Sequence, residues 1–535
     1  MLEQIKALSK ETLIYGASTV IGRFLNFLLV PFYVNVLDPV MYGVSTSLYT
    51  YMSFFNIIYT LGLEAAYFRY ASKGEGEERS VEEEKRLFSG PFLFVFIFGG
   101  ILTGVILLLS SWLVWPIFHD PKTDITPMVP TLASILRIGG IIILLDSLNV
   151  IPFAALRIDR RAKWFGTIRL TGIALTLTLN FFFILSLHWG VEGIFVANLI
   201  ASAVMMSMLV PTIVRRFEFR ISRPVMKKLM PFALTNVPAY LSAMMVQVID
   251  RPIVQAYLGL AILGVYQANY RMGIIMMVFV SLFEYAWRPF FLRESRTNDA
   301  RAREIFARVF TYFMLIAAVG FLFLAFVLPD VLSVRLPIIH HAIFQKKQYL
   351  MGINIIPVVL AAYIFQGMYT NFIAGIYIKE HNKVLPFITG LGAATNIITN
   401  VLLIPVMGIM GAALATLFAY MAMAGALYWQ SQKVYFIPYD WRRVGKLSAI
   451  VLLAYALERF ITGSHVAPHE SIMMAIRAAI FLAVIAALFL FGFFSKGEIA
   501  MLRSMVKLPA GVRGTQTSAG VPEPIQESQE RREDK

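Results

Sequence analysis

The sequence predicts an all-α polytopic membrane protein of fourteen transmembrane helices, built as two pseudo-symmetric six-helix lobes with two additional helices towards the C-terminus. Three observations carry this. The mean hydropathy is +0.70 and only 15% of the 535 residues are charged, against about 25% in a soluble domain. Fourteen apolar runs are each long enough, at ~1.5 Å per residue, to cross a ~30 Å hydrocarbon core. Part of the first half also recurs about 220 residues later.

The recurrence decides how the runs group. Val30 Pro31 through Gly43 Val44 aligns with Arg251 Pro252 through Gly264 Val265, with Leu37 against Leu258. Residues 189–199, WGVEGIFVANL, read as a degenerate copy of residues 407–417, MGIMGAALATL. Ile158, Lys163 and Asn180 find Ile378, Lys383 and Asn400. The first lobe (1–222) then holds spans at 12–36, 43–67, 88–112, 128–152, 165–187 and 191–213. The second (223–432) holds spans at 229–250, 261–287, 306–328, 349–376, 384–405 and 408–430. Spans at 446–463 and 471–495 lack counterparts, so 433–495 is an addition. The tail, 496–535, opens as a short surface helix and turns into a Gly, Ser, Gln, Glu and Arg composition expected to be disordered. Two similar apolar halves are the pattern of a transporter with a cavity between two lobes.

The net charge of +15 could point to nucleic acid, but its distribution follows the membrane. Lys and Arg concentrate in alternate loops, among them 69–86, 157–163 and 214–228. With the amino terminus inside, the opposite loops are poor in them except at 330–348. That asymmetry places both termini in the cytoplasm and makes nucleic acid an unexpected partner. No cleavable signal peptide is expected, because Met1–Ser9 leads straight into a full-length span. The absence of cysteine removes disulfides, thiol nucleophiles and Cys-ligated metals. No metal or other cofactor is expected, and no Walker-type phosphate loop is present. The acidic loop 69–86 reads as a solvated face, and His340 His341 with Lys346 Lys347 as a solvated external cluster. No catalytic cluster stands on a large external loop, so the chain is not expected to be an enzyme.

Charges inside a span cost roughly 2.5–3.5 kcal/mol each at the centre of a helix, which makes deep ones functional candidates. Arg23, Arg137 and Arg271 lie near the centres of spans one, four and eight. A centre lined by arginine favours an anionic substrate, since guanidinium keeps its charge and can grip phosphate through two bonds. Polar stripes at steps of three or four accompany them: Thr12, Tyr15, Thr19, Arg23 and Asn26 in span one, and Tyr49, Ser53, Asn56, Thr60 and Glu64 in span two. Asn236, Tyr240, Gln247 and Asp250 mark span seven, and Gln366, Tyr369, Thr370 and Tyr377 span ten. Arg23, Arg271, Arg137, Asn26, Tyr49 and Asn56 are the candidate substrate-binding residues. Glu64, Asp146, Asp250 and Glu284, nearer the span ends, are the candidates for ion coupling. Arg169, Arg459 and Arg477, with Glu458, are expected to snorkel to the interface.

These features resemble the Wzx-type polysaccharide flippases of the MOP superfamily, which also holds the lipid II flippases and the MATE exporters. The local likeness lies in Ile249 Asp250 Arg251, Leu258 Gly259 and Gly264 Val265 Tyr266, then in Tyr377 Ile378 Lys379, Lys383 and Pro386. It continues through Asn396, Asn400, Ile404 Pro405 and Gly408 to Gly411–Thr416. The resemblance implies alternating access in a bacterial inner membrane, driven by an ion gradient or the membrane potential. It implies an undecaprenyl-pyrophosphate-linked oligosaccharide as cargo, destined for surface polysaccharide such as O-antigen. Membrane lipids and polysaccharide assembly proteins are the implied partners. Lipid II-type members place arginines on spans one, two and eight; Arg23 and Arg271 stand for the first and third, while span two here has none in its core. A lipid II flippase and a MATE-type exporter of small cations remain the alternative readings.

Overall fold

A computed structural model describes Phe27 and residues 29–72, 80–333, 343–463, 470–494 and 497–498. In chain order the main helices are α1 (Pro39–Thr60), α2 (Leu63–Ala71), α3 (Val81–Ile117), α4 (Val129–Ile158), α5 (Ala162–Phe181), α6 (Gly190–Arg216), α7 (Arg223–Val248) and α8 (Asp250–Leu258). They continue as α9 (Leu260–Met272), α10 (Ile274–Thr297), α11 (Asp299–Ser333), α12 (Ile356–Ile378), α13 (Leu385–Met407), α14 (Ile409–Val434), α15 (Trp441–Gly463) and α16 (Glu470–Leu490). Residues 29–36 form a helical stretch ahead of α1. Among the described residues no strand occurs, and eleven helical segments are long and apolar enough to cross a membrane. The chain is therefore a multi-pass membrane protein.

Two of the expected spans are interrupted. Span two starts cleanly as α1, with the Asp38 side chain accepting from Met41 N at 2.9 Å and Pro39 in the first turn. It then breaks at Leu61 and Gly62, which turn left-handed at φ 44° and 73°, before resuming as α2. Span eight breaks at Gly273, between α9 and α10. Both interruptions lie beside charged or polar stripes, where backbone irregularity is tolerated because it is buried in protein or lines a wet cavity.

Contacts divide the chain into one unit to Val444 and a second from Gly445. Within the first, the recurrence in sequence is a recurrence of packing: α6 packs on α4 and α5, and α14 packs on α12 and α13. The halves meet where α1 crosses α9. A β-carbon on Gly43 would strike the Leu260 carbonyl, and one on Gly264 would strike the Pro39 carbonyl. These are the same two glycines that the repeat aligns, so each half lends its small residue to a single close backbone contact.

Around this crossing, at the end where the loops carry few charges, the halves hold each other's helix termini. Gln255 Nε2 donates to the carbonyls of Ile117 and His119, at 2.9 and 3.0 Å, at the C-terminus of α3. In return the Asp120 side chain accepts from Leu260 N at 2.9 Å and caps α9. Lys346 Nζ donates to the Val36 and Leu37 carbonyls, at 3.1 and 2.8 Å, where the 29–36 stretch ends. A cation there satisfies orphan carbonyls and meets the negative end of the dipole. Of the cluster expected to be solvated, Lys346 is thus engaged, while His340 and His341 lie outside the described residues.

The opposite end carries the loops rich in Lys and Arg, and the halves meet there through α2 and α7. Arg69 Cζ stands 4.5 Å from the Phe232 ring centre and Lys228 Nζ 5.1 Å from that of Tyr70. In the second unit, Glu458 is buried and accepts from Arg477 Nε and Nη2 at 2.9 and 2.8 Å. Glu458 and Arg477 therefore pair with each other rather than reaching the interface, because the antiparallel run of α15 and α16 brings them level.

Gly43→Ala and Gly264→Ala are expected to lower the melting temperature of the detergent-purified protein, each carrying an overpacking cost of about 1–3 kcal/mol. Gly100→Ala and Gly104→Ala, where a β-carbon meets nothing within 4 Å, serve as controls and should melt with the wild type. Equal melting of all four variants would show that the crossing is loose.

Candidate functional site

Arg271 sits in the last turn of α9, seven residues beyond Gly264, and so about 10 Å along the helix from the crossing. A cation in this turn is favoured by the helix dipole, which helps explain a charge at membrane depth. It is half-buried, and its charge reaches the hydroxyls of Tyr33, Tyr42 and Tyr49 from the other half. Among the described residues no carboxylate or hydrogen-bond acceptor holds it. Tyr42 is buried, and its hydroxyl likewise lacks a partner among the described residues. The seam between the halves therefore presents, next to these phenols, a cation with no carboxylate paired to it among the described residues.

The first half lines this seam with polar side chains, each fixed from behind by a neighbouring helix. Asn198 on α6 donates to Tyr49 Oη at 2.8 Å, and Ser202, one turn further along α6, donates to Asp146 at 2.6 Å. Tyr33 Oη donates to Asn180 Oδ1 at 3.0 Å. Past the break in span two, Glu64 pairs with Arg157 at 3.1 Å. Arg169 stacks over Phe153, with Cζ 4.3 Å from the ring centre, and interacts electrostatically with Glu64, Asp146 and Arg157. Beside this cluster, at the end rich in basic loops, opens a cleft of about 660 Å³ lined by Tyr67, Phe68, Arg157, Arg160 and the Asp159–Arg216 ion pair.

The second half contributes a buried nest. Asp250 is 1% exposed and accepts from Tyr266, while its Oδ1 lacks a hydrogen-bond partner among the described residues. Arg251 lies beside it with Cζ 5.9 Å from the Tyr270 ring centre, and its Nε is buried with no acceptor among the described residues. Nearby, Asn396 donates to the Val246 carbonyl at 3.4 Å and Asn400 to Asn396 Oδ1 at 2.6 Å. Asp250 is thus a buried acid with one oxygen lacking a partner among the described residues, the character of a group that can take up a proton.

The candidates read from sequence divide accordingly. Arg271, Tyr49 and Asp146 are brought together; Asn56 is half-buried further along the α1 stripe, with its carbonyl accepting from Thr60. Glu64 joins through Arg169. Arg137 is exposed, its Nε donating to Ser110 at 2.8 Å on α3. Glu284 is exposed and lies 3.9 Å from Arg288 on its own helix. Arg23 and Asn26 lie outside the described residues. Sequence reasoning passed over Arg251 and Arg169. The first stands at a span end beside Asp250, and the second was assigned to the interface by depth alone. Pairing across the repeat gives Arg251 only an aliphatic counterpart, Val30.

The sequence matches the family described as polysaccharide biosynthesis protein over residues 35–336. Among the curated proteins nothing matches. The fold is similar to that of the lipid II flippase MurJ in an inward closed conformation, at a TM-score of 0.67 and 16% identity, covering 92% of this chain and 100% of that one. It is also similar to an inward-facing multidrug resistance MATE family transporter of the MOP superfamily, at 0.58 and 13%, covering 80% and 96%. A MOP superfamily transporter from Pyrococcus furiosus, whose binding pocket has reverse polarity, matches at 0.54 and 14%, covering 82% and 96%.

Because the natural chain has no cysteine, the seam can be mapped by single replacements. Tyr49→Cys and Asn56→Cys are expected to react with a polar methanethiosulfonate reagent in membranes. Leu108→Cys, at a side chain 85% exposed on the apolar outer face of α3, is expected to stay unreactive. A protected Asn56→Cys would mark the α1 stripe as packing between helices.

Proposed function

Since the chain belongs to the polysaccharide biosynthesis protein family, we propose that it carries an undecaprenyl-pyrophosphate-linked oligosaccharide across the bacterial cytoplasmic membrane by alternating access. The observation that carries this reading is Arg271, a half-buried guanidinium in the seam with no carboxylate partner among the described residues. A guanidinium held by an internal carboxylate would be neutralised; one left open in a desolvated cleft is a site for a diphosphate. The surrounding phenols and amides, Tyr33, Tyr42, Tyr49 and Asn198, supply donors and acceptors suited to sugar hydroxyls. Asn56 and Arg23 extend the same surface in this reading, and Arg137 assists from α4.

The end with few charges faces outward in this reading, and both termini lie in the cytoplasm. The two lobes, 1–222 and 223–432, rock about the α1–α9 crossing while the lipid tail stays in the bilayer. The helices after 433 are an addition to that core. Asp250 is the coupling acid of choice, because it is buried and one of its oxygens lacks a partner among the described residues, with Asp146 and Glu64 as its counterparts in the first half. Glu284, exposed and close to Arg288, has the least claim on that role. The chemistry needed is binding and release rather than bond making.

Cells depleted of this protein are expected to accumulate undecaprenyl-linked repeat units. Wild type should clear them, Arg271→Ala should clear them at least about tenfold more slowly at matched expression, corresponding to a loss of about 1.4 kcal/mol, and Arg271→Lys should fall between. If no intermediate accumulates and sensitivity to cationic compounds rises instead, an exporter of cations replaces the flippase.

A further inference from the structure

From the charges along the first half we infer that Arg169 is a second binding site for the diphosphate, a relay between the basic end and Arg271; this rests on the function proposed above. The seam wall carries charges of alternating sign. Arg157 pairs with Glu64, Glu64 and Asp146 both interact with Arg169, and Asp146 and Arg271 both act on Tyr49. Each neighbour in this series sits on a different helix. The order Arg157, Glu64, Arg169, Asp146, Tyr49, Arg271 is therefore created by packing.

Within the series Arg169 is the loose member. Arg157 is engaged by Glu64 at 3.1 Å, and Asp146 by Ser202 at 2.6 Å. Among the described residues Arg169 makes no hydrogen bond and no ion pair; it rests on the ring of Phe153, itself buried in the apolar core of this half. A cation–π contact orients the guanidinium while leaving its five N–H donors unspent. Arg169 is exposed and so open to a ligand, while the rings of Phe153 and Phe165 hold it on the bundle, with Glu64 on α2 and Asp146 on α4 as its electrostatic neighbours. Two nearby carboxylates keep an empty Arg169 from being a trap. They compete with an arriving diphosphate, which bridges the cation only for as long as it outbids them, and this suits a site that must release its ligand towards Arg271.

The test uses the full chain, cysteine-free as it exists. Ile173→Cys, half-buried one turn along α5 from an intact Arg169, is expected in inside-out vesicles to react with 2-sulfonatoethyl methanethiosulfonate, and undecaprenyl pyrophosphate should slow that reaction at least threefold. Protection by the lipid diphosphate alone identifies the lipid carrier as the ligand; equal protection by inorganic pyrophosphate identifies a site for the diphosphate itself. Both support the relay. An unreactive Ile173→Cys, or a reaction that neither compound slows, overturns it.

Binding of undecaprenyl pyrophosphate to the purified protein gives the second readout. Arg169→Gln should weaken it about tenfold, with Arg169→Lys restoring part. Asp146→Asn, which removes a competitor, should strengthen it, and that gain should vanish in the double variant with Arg169→Gln. A purely structural arginine would not produce this dependence. If Arg271→Ala loses binding while Arg169→Gln binds as the wild type does, the relay fails and the transport reading survives. If the wild type binds no undecaprenyl pyrophosphate, both fail.

Discussion

The close crossing of α1 over α9, made by Gly43 and Gly264, is the contact on which the rest of the chain depends. It can form because both helices present a hydrogen where any other residue presents a β-carbon, and the backbone carbonyls of Leu260 and Pro39 occupy that space. Its consequences follow by distance. Arg271 stands two turns along α9, level with the tyrosines of the other half. The ends of α3 and α9 come close enough for Gln255 and Asp120 to exchange caps. One small-residue contact, placed at equivalent positions of the repeat, thus joins the halves and sets the depth of the cation between them.

The two ends of this joint are built from different interactions. At the charge-poor end the bonds from Gln255, Asp120, Lys346 and Tyr349 close orphan groups at helix termini. A neutral hydrogen bond contributes about 0.5–1.5 kcal/mol and one to a charged group about 1.5–3 kcal/mol. At the basic end the halves meet through an apolar core that joins Leu229 and Ala233 of α7 to Leu63, Ala66 and Tyr67 of α2 and Phe88 of α3, with Arg69 on Phe232 and Lys228 on Tyr70 beside it. The left-handed turn at Leu61 and Gly62 packs against α7, where a β-carbon on Gly62 would meet the Ala233 carbonyl.

Within the membrane, polar side chains sort into two kinds. Asn180, Asn396 and Asn400 are fully buried and bond to neighbouring helices or to their own backbone. They hold helices together. Arg271 and Arg169 are unbonded among the described residues, and both border phenols or carboxylates in the seam. Both kinds look alike in a hydropathy plot, because each is a polar residue at helical spacing. What separates them is whether a partner stands opposite, and partners come from helices far away in sequence, such as Asn198 for Tyr49 and Ser202 for Asp146.

The sequence by itself determined the class of protein, its membrane character and its internal repeat, because hydropathy and recurrence are local properties that survive any arrangement of the helices. It also supplied Arg271, whose depth in an apolar run is readable without coordinates, and the two glycines that the repeat aligns. Tertiary structure alone decided which charges are neutralised. Glu458 and Arg477 read as interface residues until an antiparallel pair of helices set them side by side. Arg137 reads like Arg271 by depth, yet it reaches Ser110 on α3, while Arg169, shallow in its span, lies over the ring of Phe153 from α4. Depth along a helix is fixed by counting residues. The direction a side chain faces depends on which helices pack beside it, and in a bundle joined by backbone contacts between distant segments, only the folded molecule makes that choice.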